Sequence, residues 1–266
     1  MATSLPTNRV VKRAMIAFAA EHKIGSVEII DNDVWGDGAK AFAWRITAWA
    51  KRNGHPTIRV STRKTPELVS LVVPKPAYKV LQAPDAILRG GKRSLNAIDW
   101  IVIHDGELYL DDAGGPKVDN AAEAMGNYFH SQAVASPHYG VDNDSIRQYC
   151  PLEIVGYHCT AFNTNTVGIE QGGRAAWPRT YWFKYCDPQL DRLAWLIGIL
   201  SRKLDIPIVY RSGSYIKKVG VHPGKAKGGV TTHLAHTVAL CPGDHTDPGI
   251  NFPMGHVLSL ARSYAR

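Results

Sequence analysis

The chain has 266 residues, of which 45% are hydrophobic and 20% are charged, and it carries a formal net charge of +8. This composition excludes a disordered chain and predicts a globular protein with room for one large domain or two modest ones. No apolar run approaches the roughly 18 residues that a membrane-spanning helix needs, so we expect no membrane insertion. The positive charges of residues 1–13 are not followed by a long apolar stretch, so we expect no secretory signal peptide.

Residues 1–72 are predicted to form a small α+β unit. Apolar side chains at helical spacing indicate one helix within residues 7–25 and a second over residues 40–52. A short apolar run at 27–30 is typical of a strand between them. Prolines recur in the stretch that follows, and we interpret residues 73–96 as a linker.

Positive charge is concentrated in the first 100 residues. This part holds 16 Lys and Arg against 8 Asp and Glu, whereas residues 101–266 hold 15 of each kind. A basic surface attracts polyanions such as nucleic acid or the anionic polymers of a bacterial wall. The aromatic residues lie on the core faces of the predicted helices, so a basic surface interleaved with aromatics is not evident and no nucleic-acid partner is expected. A solvated surface that only aids solubility is the alternative.

From residue 97 onward, predicted strands and helices alternate. Residues 97–103 are a mostly apolar run with β-branched side chains, which is typical of a buried central strand, and His104 lies at its end. A helix is predicted over residues 120–130. A strand is expected over residues 137–141, beside the first one.

The second half of this segment continues the pattern. Residues 166–170 predict a short strand that ends in a carboxylate, and residues 190–204 predict a helix with a broad apolar face. A strand is expected over 206–209, and the Gly- and Lys-rich residues 213–229 are expected to form a loop that contacts substrate. The order of elements predicts an α/β fold, with a mixed central β-sheet flanked by helices.

Two histidines and an aspartate predict a metal site. His104 lies at a strand end, while His233 and Asp247 lie far downstream. A catalytic zinc ion usually takes three protein ligands from His, Asp, Glu or Cys and leaves a fourth position to water. Cys241 is the alternative third ligand, because zinc accepts a thiolate as well as a carboxylate, and His236 is the rival of His233.

Six short motifs, which include these residues, follow one another along the chain. They are Asp99–His104, Ser136–Asp142, Gly156–His158, Thr166–Glu170, Thr232–His233 and His245–Gly249. Each is weak alone, but their order over residues 97–262 resembles the zinc-dependent N-acetylmuramoyl-L-alanine amidases. That superfamily includes peptidoglycan-recognition proteins and phage endolysins.

The resemblance implies roles for four further side chains. In one branch of the family the Glu of the Gly-Ile-Glu motif helps to activate water. In another branch a tyrosine does so, but Pro137 occupies that position here, so Glu170 is the expected general base. His245 stands where many relatives have a lysine and is expected to stabilise the oxyanion. His138 and His158 are the expected substrate-binding residues.

The resemblance also implies hydrolysis of the amide bond between N-acetylmuramic acid and L-alanine, with Zn²⁺ as cofactor and peptidoglycan as partner. The run from His245 to Pro253 is most similar to phage endolysins, which favours Asp247 over Cys241 as a ligand. We therefore expect a monomer that is made in the host cytoplasm and reaches the wall through a holin. Residues 1–72 are expected to be a wall-binding module. A bacterial autolytic or recycling amidase and a non-catalytic peptidoglycan-binding protein of this fold are the alternatives.

Overall fold

The computed structural model of the protein describes residues 78–107, 119–240 and 245–265. The predictions for residues 1–72 and for the candidate ligand Cys241 lie outside these ranges. Within them the chain forms one mixed α/β domain, which confirms the predicted fold class.

Six strands form one sheet. They are β1 (Leu81–Gln82), β2 (Trp100–Ile103), β3 (Tyr139–Val141), β4 (Ile146–Gln148), β5 (Thr166–Gln171) and β6 (Gly229–Thr232). Their order across the sheet is β1-β4-β3-β5-β2-β6, and the β3–β4 pair is antiparallel while the other pairs are parallel. The sheet is therefore mixed, and β5, β2 and β6 run side by side in one direction.

Six α-helices flank the sheet. They are α1 (Ala121–Ser131), α2 (Arg179–Tyr185), α3 (Asp187–Leu204), α4 (Gly213–Val219), α5 (His233–Leu240) and α6 (Met254–Tyr264). The predicted helices over 120–130 and 190–204 correspond to α1 and α3. None of the helices in the described parts of the chain combines the length and the apolar character needed to cross a bilayer.

The two faces of the sheet carry different side chains. On one face, alternate residues of β2 and β5, such as Ile101, Ile103 and Ile169, pack in a fully buried core under α3 and α6. Burying each such side chain contributes roughly 1.5–3 kcal/mol to stability. On the opposite face Trp100 and Val102 pack under α4 and α5. Because side chains alternate along a strand, the next residue on this second face is His104.

Two predictions about strands differ from the structure. The strand over 137–141 does not lie beside β2, because β5 is inserted between them and forms parallel ladders with both. Residues 206–209 are not a strand: Pro207 has no N–H to donate, and its carbonyl accepts from Val209 in a turn instead. Only Tyr210, in an isolated bridge to Val230, pairs with the sheet there.

The predicted loop over 213–229 begins with helix α4. The Ser212 hydroxyl accepts from the backbone N–H of Tyr215 and caps this helix, and Ile216 is fully buried against the sheet. A Cβ on Gly213 would lie 2.7 Å from the backbone oxygen of Ala235, so glycine allows α4 to approach α5 closely. Glycine at this position permits close helix packing. The composition of the segment does not distinguish this role from that of a glycine in a loop.

Residues 78–96, which belong to the predicted linker, contact the α/β domain through a strand and a buried side chain. Strand β1 pairs with β4, and Ala86 is fully buried. Lys92 forms an isolated β-bridge with Ile154, and the guanidinium of Arg93 contacts the Leu152 carbonyl and His138. These contacts depend on partners more than 40 residues away in the sequence, so the proline content of the segment does not indicate them.

Candidate active site

The site lies at the edge of the sheet where β2, β5 and β6 end. In open α/β sheets, ligands bind outside the carboxyl ends of the strands. His104 follows β2 directly, and its backbone N–H donates to Ile169 at 2.9 Å, which continues the ladder. His233 follows β6 as the first residue of α5. The Thr232 hydroxyl accepts from Ala235 and caps this helix, so the position of His233 is fixed by a strand end and a helix start together.

Asp247 reaches the same edge from the segment before α6. Its backbone oxygen accepts from the N–H of Leu234 at 2.9 Å. Leu234 lies in the first turn of α5, where backbone N–H groups have no partner within the helix. The start of α5 therefore holds both His233 and the backbone of Asp247.

Three ligand atoms converge at this point. The Nδ1 atoms of His104 and His233 are 3.2 Å apart. Asp247 Oδ2 lies 3.0 Å from Nδ1 of His104, and Asp247 Oδ1 lies 3.2 Å from Nδ1 of His233. One ligand atom from each of the three residues lies within 4.8 Å of the other two, which is close enough for all three residues to bind one zinc ion.

The protonation of these residues also suits a cation. Burial alone would raise the pKa of Asp247, but the adjacent imidazoles of His104 and His233 lower it below the ordinary value. Burial lowers the pKa of His104 and outweighs the opposing effect of Asp247. Asp247 is therefore a carboxylate and His104 a neutral imidazole near pH 7, and these are the forms that bind metal ions.

Glu170 faces the same site from β5. Val102 is in register with Gly168, so two residues further along His104 and Glu170 lie on one face of the sheet. Burial raises the pKa of the Glu170 carboxyl well above its ordinary range, and the negative charges of Asp247 and Asp105 raise it further. A carboxyl with a raised pKa is suited to accept and return a proton near neutral pH.

His245 covers the cluster on its solvent side. Its ring stacks on His233 with the centroids 3.9 Å apart and an interplanar angle of 20°. Its Nδ1 lies 3.8 Å from the Asp247 carboxylate, and its side chain is 53% exposed. His245 therefore borders both the candidate ligands and the solvent.

His138 and His158, the expected substrate-binding residues, lie on the inner side of the site. His158 Nδ1 is 3.1 Å from Nε2 of His104. His138 Nε2 is 2.6 Å from the guanidinium of Arg93, and burial followed by that positive charge lowers the pKa of His138 to about 3. His138 is fully buried and His158 is 8% exposed. The structure places both rings under the candidate ligands, away from an open surface.

The rival histidine lies apart from the cluster. His236, one turn along α5, has Nδ1 3.1 Å from Sγ of Cys159 and packs against Phe162. Among the described residues, the three-ligand group at this edge contains His233 rather than His236.

Two polar residues around the site were not predicted as functional. Thr166 opens the Thr166–Glu170 motif, and its hydroxyl contacts His158 at 3.1 Å. Arg93, which counts only as one of many positive charges in the sequence, donates to interior carbonyls, and burial lowers its pKa to about 10. The acceptors are Leu152, Asn163, Thr164 and Thr166. Neither role has a local sequence signal, because every partner is made by the tertiary fold.

Two histidines and two carboxylates at the end of a parallel strand group form a site of the kind that hydrolytic enzymes use. The sequence model of the N-acetylmuramoyl-L-alanine amidase family matches residues 94–250, which is more than half of the chain. The protein belongs to this family. The predicted resemblance is confirmed.

Several solved structures are similar to this chain, and one of them, with a TM-score above 0.5, shows the same fold. The crystal structure of the Staphylococcus aureus hydrolase AmiA with its ligand has a TM-score of 0.51 and 14% identity, covering 90% of this chain and 95% of that one. A mutant endolysin from Bacillus subtilis has a TM-score of 0.43 and 17% identity, covering 69% and 99%. The amidase LysCS from Clostridium intestinale has a TM-score of 0.42 and 17% identity, covering 68% and 93%. No curated protein sequence matches this chain.

Proposed function

We propose that this protein is a zinc-dependent N-acetylmuramoyl-L-alanine amidase that hydrolyses the bond between N-acetylmuramic acid and L-alanine in peptidoglycan. The observation that carries the proposal is the convergence of His104, His233 and Asp247, in which the Asp247 carboxylate lies 3.0–3.2 Å from the two Nδ1 atoms and these lie 3.2 Å apart. His104, His233 and Asp247 would hold the zinc ion, which would supply Lewis-acid activation of water and of the substrate carbonyl. The ionised Asp247 and neutral His104 support this assignment, as does family membership.

In the proposed mechanism Glu170 transfers the proton and His245 stabilises the oxyanion. Glu170 accepts a proton from the attacking water, which its raised pKa favours, and delivers that proton to the departing amine of L-alanine. His245 lies on the solvent side of the ligands, and its imidazole N–H donates to the oxygen that becomes negative as the carbonyl is attacked. His104 and His233 are largely buried, which would hold their rings in fixed positions as ligands.

The biological context that we propose is lysis of a bacterial host by a phage endolysin. The support is the run from His245 to Pro253, which is similar to endolysins of actinobacterial phages. An autolytic or recycling amidase of a bacterium would use the same site. Expression together with a membrane-permeabilising protein separates the two, because an endolysin then lyses the producing host rapidly.

Zinc dependence and bond specificity are tested together on purified walls. The full chain should release new L-alanine amino termini while leaving the disaccharides intact, as identified by mass. A chelator should abolish this release and added Zn²⁺ should restore it. New reducing ends or cleavage elsewhere in the stem peptide would contradict the bond assignment, and full activity in a verified metal-free preparation would contradict the zinc assignment.

We propose that residues 1–72 hold the enzyme on the anionic wall. The support is the charge distribution, because the whole net charge of +8 lies in the first 100 residues. A chain that begins at Pro74 should cleave soluble muropeptides normally but bind intact walls less well in co-sedimentation. Binding of the full chain should also fall with salt, since the Debye length shrinks to about 3 Å at 1 M.

Three other outcomes would count against the wall-binding role. Unchanged wall binding after truncation would leave the basic segment as a solvated surface. An insoluble or inactive truncated chain would make the segment part of the catalytic domain. Wall binding by the full chain that does not respond to salt would exclude an electrostatic attachment.

A further inference from the structure

We infer that Thr166 and His158 position the candidate ligand His104 by fixing which of its ring nitrogens carries the proton. This inference rests on the proposed zinc site. A continuous row of hydrogen bonds leads from the Phe162 carbonyl through Thr166 and His158 to His104. The row lies on the inner side of the site, so neither Thr166 nor His158 needs to touch substrate or metal to affect zinc binding.

The direction of the row is set at its far end. The Thr166 hydroxyl lies 2.9 Å from the Phe162 carbonyl oxygen, and a carbonyl only accepts, so the hydroxyl must donate its single hydrogen there. Oγ1 of Thr166 also lies 3.1 Å from Nε2 of His158. With its hydrogen already committed, the hydroxyl accepts from His158, and Nε2 of His158 carries a proton.

The proton on Nε2 of His158 also fixes the tautomer of His104. A neutral imidazole has one N–H, so Nδ1 of His158 is an acceptor. It lies 3.1 Å from Nε2 of His104, which must therefore be the N–H donor. The lone pair of His104 is then on Nδ1, which faces Asp247 at 3.0 Å and His233 at 3.2 Å. The lone pair on His104 Nδ1 is therefore directed to the point where the candidate ligands meet, and it is available to a metal ion.

Packing holds the row in place. A Cβ on Gly168 would lie 2.6 Å from the His158 ring, so glycine at this point of β5 leaves the space that the ring fills. The His158 and His104 rings meet edge to face with their centroids 5.2 Å apart. Thr166 is fully buried, so water is a poor substitute for its hydroxyl if that group is removed.

The consequence is a binding site that is prepared before the metal arrives. A metal-ligating histidine commonly donates its other N–H to a fixed acceptor, and loss of such an acceptor costs about 10- to 100-fold in metal affinity. Here the acceptor is another histidine, whose own tautomer is set by a threonine hydroxyl. Thr166 and His158 are thus positioning residues that act through His104.

The test compares two changes at Thr166. Thr166→Val keeps the shape but removes the hydroxyl, whereas Thr166→Ser keeps the hydroxyl. Zn²⁺ affinity of the full chain is measured by competition with a chromophoric chelator, with thermal unfolding of the metal-free proteins as a folding control. We expect Thr166→Val to weaken zinc binding by about 10-fold or more and Thr166→Ser to stay within about 3-fold of the parent. A folded Thr166→Val protein with unchanged affinity would overturn the inference.

A rescue at His158 separates the acceptor from mere packing. His158→Asn keeps an oxygen that can accept from His104, whereas His158→Leu does not. We expect His158→Asn to retain more zinc affinity than His158→Leu, although the leucine fills the space as well. Equal losses in the two folded variants would mean that only the bulk of the ring matters.

Nitrogen-15 NMR of the parent protein tests the inference without any substitution, so the result does not depend on whether a variant folds. In the metal-free full chain, both His104 and His158 should carry their protons on Nε2. A proton on Nδ1 of His158 would overturn the inference. A parent protein that binds no zinc would overturn the proposed function and the inference together, whereas zinc-binding parent protein with unaffected Thr166→Val overturns the inference alone.

Discussion

Asp247→Ala is expected to abolish zinc binding and amidase activity, whereas Cys241→Ser should keep most of both. The reason is that the Asp247 carboxylate lies within 3.0–3.2 Å of the ligand atoms of His104 and His233 and is the only negative charge among the three. A catalytic metal supplies several kcal/mol of transition-state stabilisation, and each 1.4 kcal/mol is a factor of ten. We therefore expect kcat/KM to fall by about 10³-fold or more. Zinc content per chain and release of L-alanine amino termini are the measurements.

The pair of variants is its own control. Both changes remove one candidate donor from the same stretch of chain, so a general effect of mutating this segment would appear in both. Thermal unfolding shows whether each protein is folded, which matters because the Asp247 backbone is bonded to the start of α5. If Cys241→Ser loses the metal and Asp247→Ala keeps it, the cysteine is the third ligand and the assignment made here is reversed.

The parts of the fold that were predictable from sequence have strong local patterns. Strand β2 is a short apolar run with β-branched residues, and α3 has apolar residues at helical spacing over 18 residues. Such patterns report whether a segment is buried and on which side. They do not report which strands become neighbours, so the insertion of β5 between β2 and β3 was not predicted.

Short elements were predicted less well because tertiary contacts decide them. The seven residues of α4 begin with Gly213, and glycine is a poor helix former. The helix forms because Ser212 caps it and Ile216 is buried against the sheet. Residues 206–209 contain apolar residues typical of a strand, but Pro207 removes a donor and the segment ends in a turn.

Some residues of the candidate site were likewise predictable from the sequence and others were not. Residues directly after strands, such as His104 and His233, were predictable because their spacing and flanking motifs are local. The residues behind them were not predictable, because Thr166 reads only as a β-branched strand residue and Arg93 only as a surface charge. The role of Arg93 appears when residues distant in the sequence are brought together, as in its contact with the Thr166 carbonyl.

Glu170→Gln is expected to lower turnover by about 10²- to 10⁴-fold while leaving zinc content unchanged. The change keeps the shape of the side chain and removes the group that accepts the proton. Glu170 is not one of the three converging ligand atoms, so metal binding should survive. The measurements are kcat on a soluble muropeptide and zinc per chain.

The role of Glu170 as a general base also predicts how activity changes with pH. A general base works only when it is deprotonated, so the activity of the parent enzyme should fall as pH drops through the pKa of Glu170. Burial is the largest cause of the raised pKa and persists when a metal neutralises Asp247, so this fall should begin above the ordinary pH range of a glutamate. The residual activity of Glu170→Gln should lack that acidic limb.

A matched change on the surface shows whether the effect belongs to Glu170. Glu107→Gln makes the same chemical substitution at a side chain that is 53% exposed and pairs with Arg174, so turnover and its pH profile should stay close to those of the parent. Surface ion pairs of this kind contribute little to stability, so Glu107→Gln should be folded. Thermal unfolding shows whether Glu170→Gln is folded as well. If Glu170→Gln turns over at nearly the parental rate, Glu170 is a structural carboxylate and the proton must be accepted by another group at this edge of the sheet. The buried Asp105, whose pKa burial raises to about 8, would then be the next candidate.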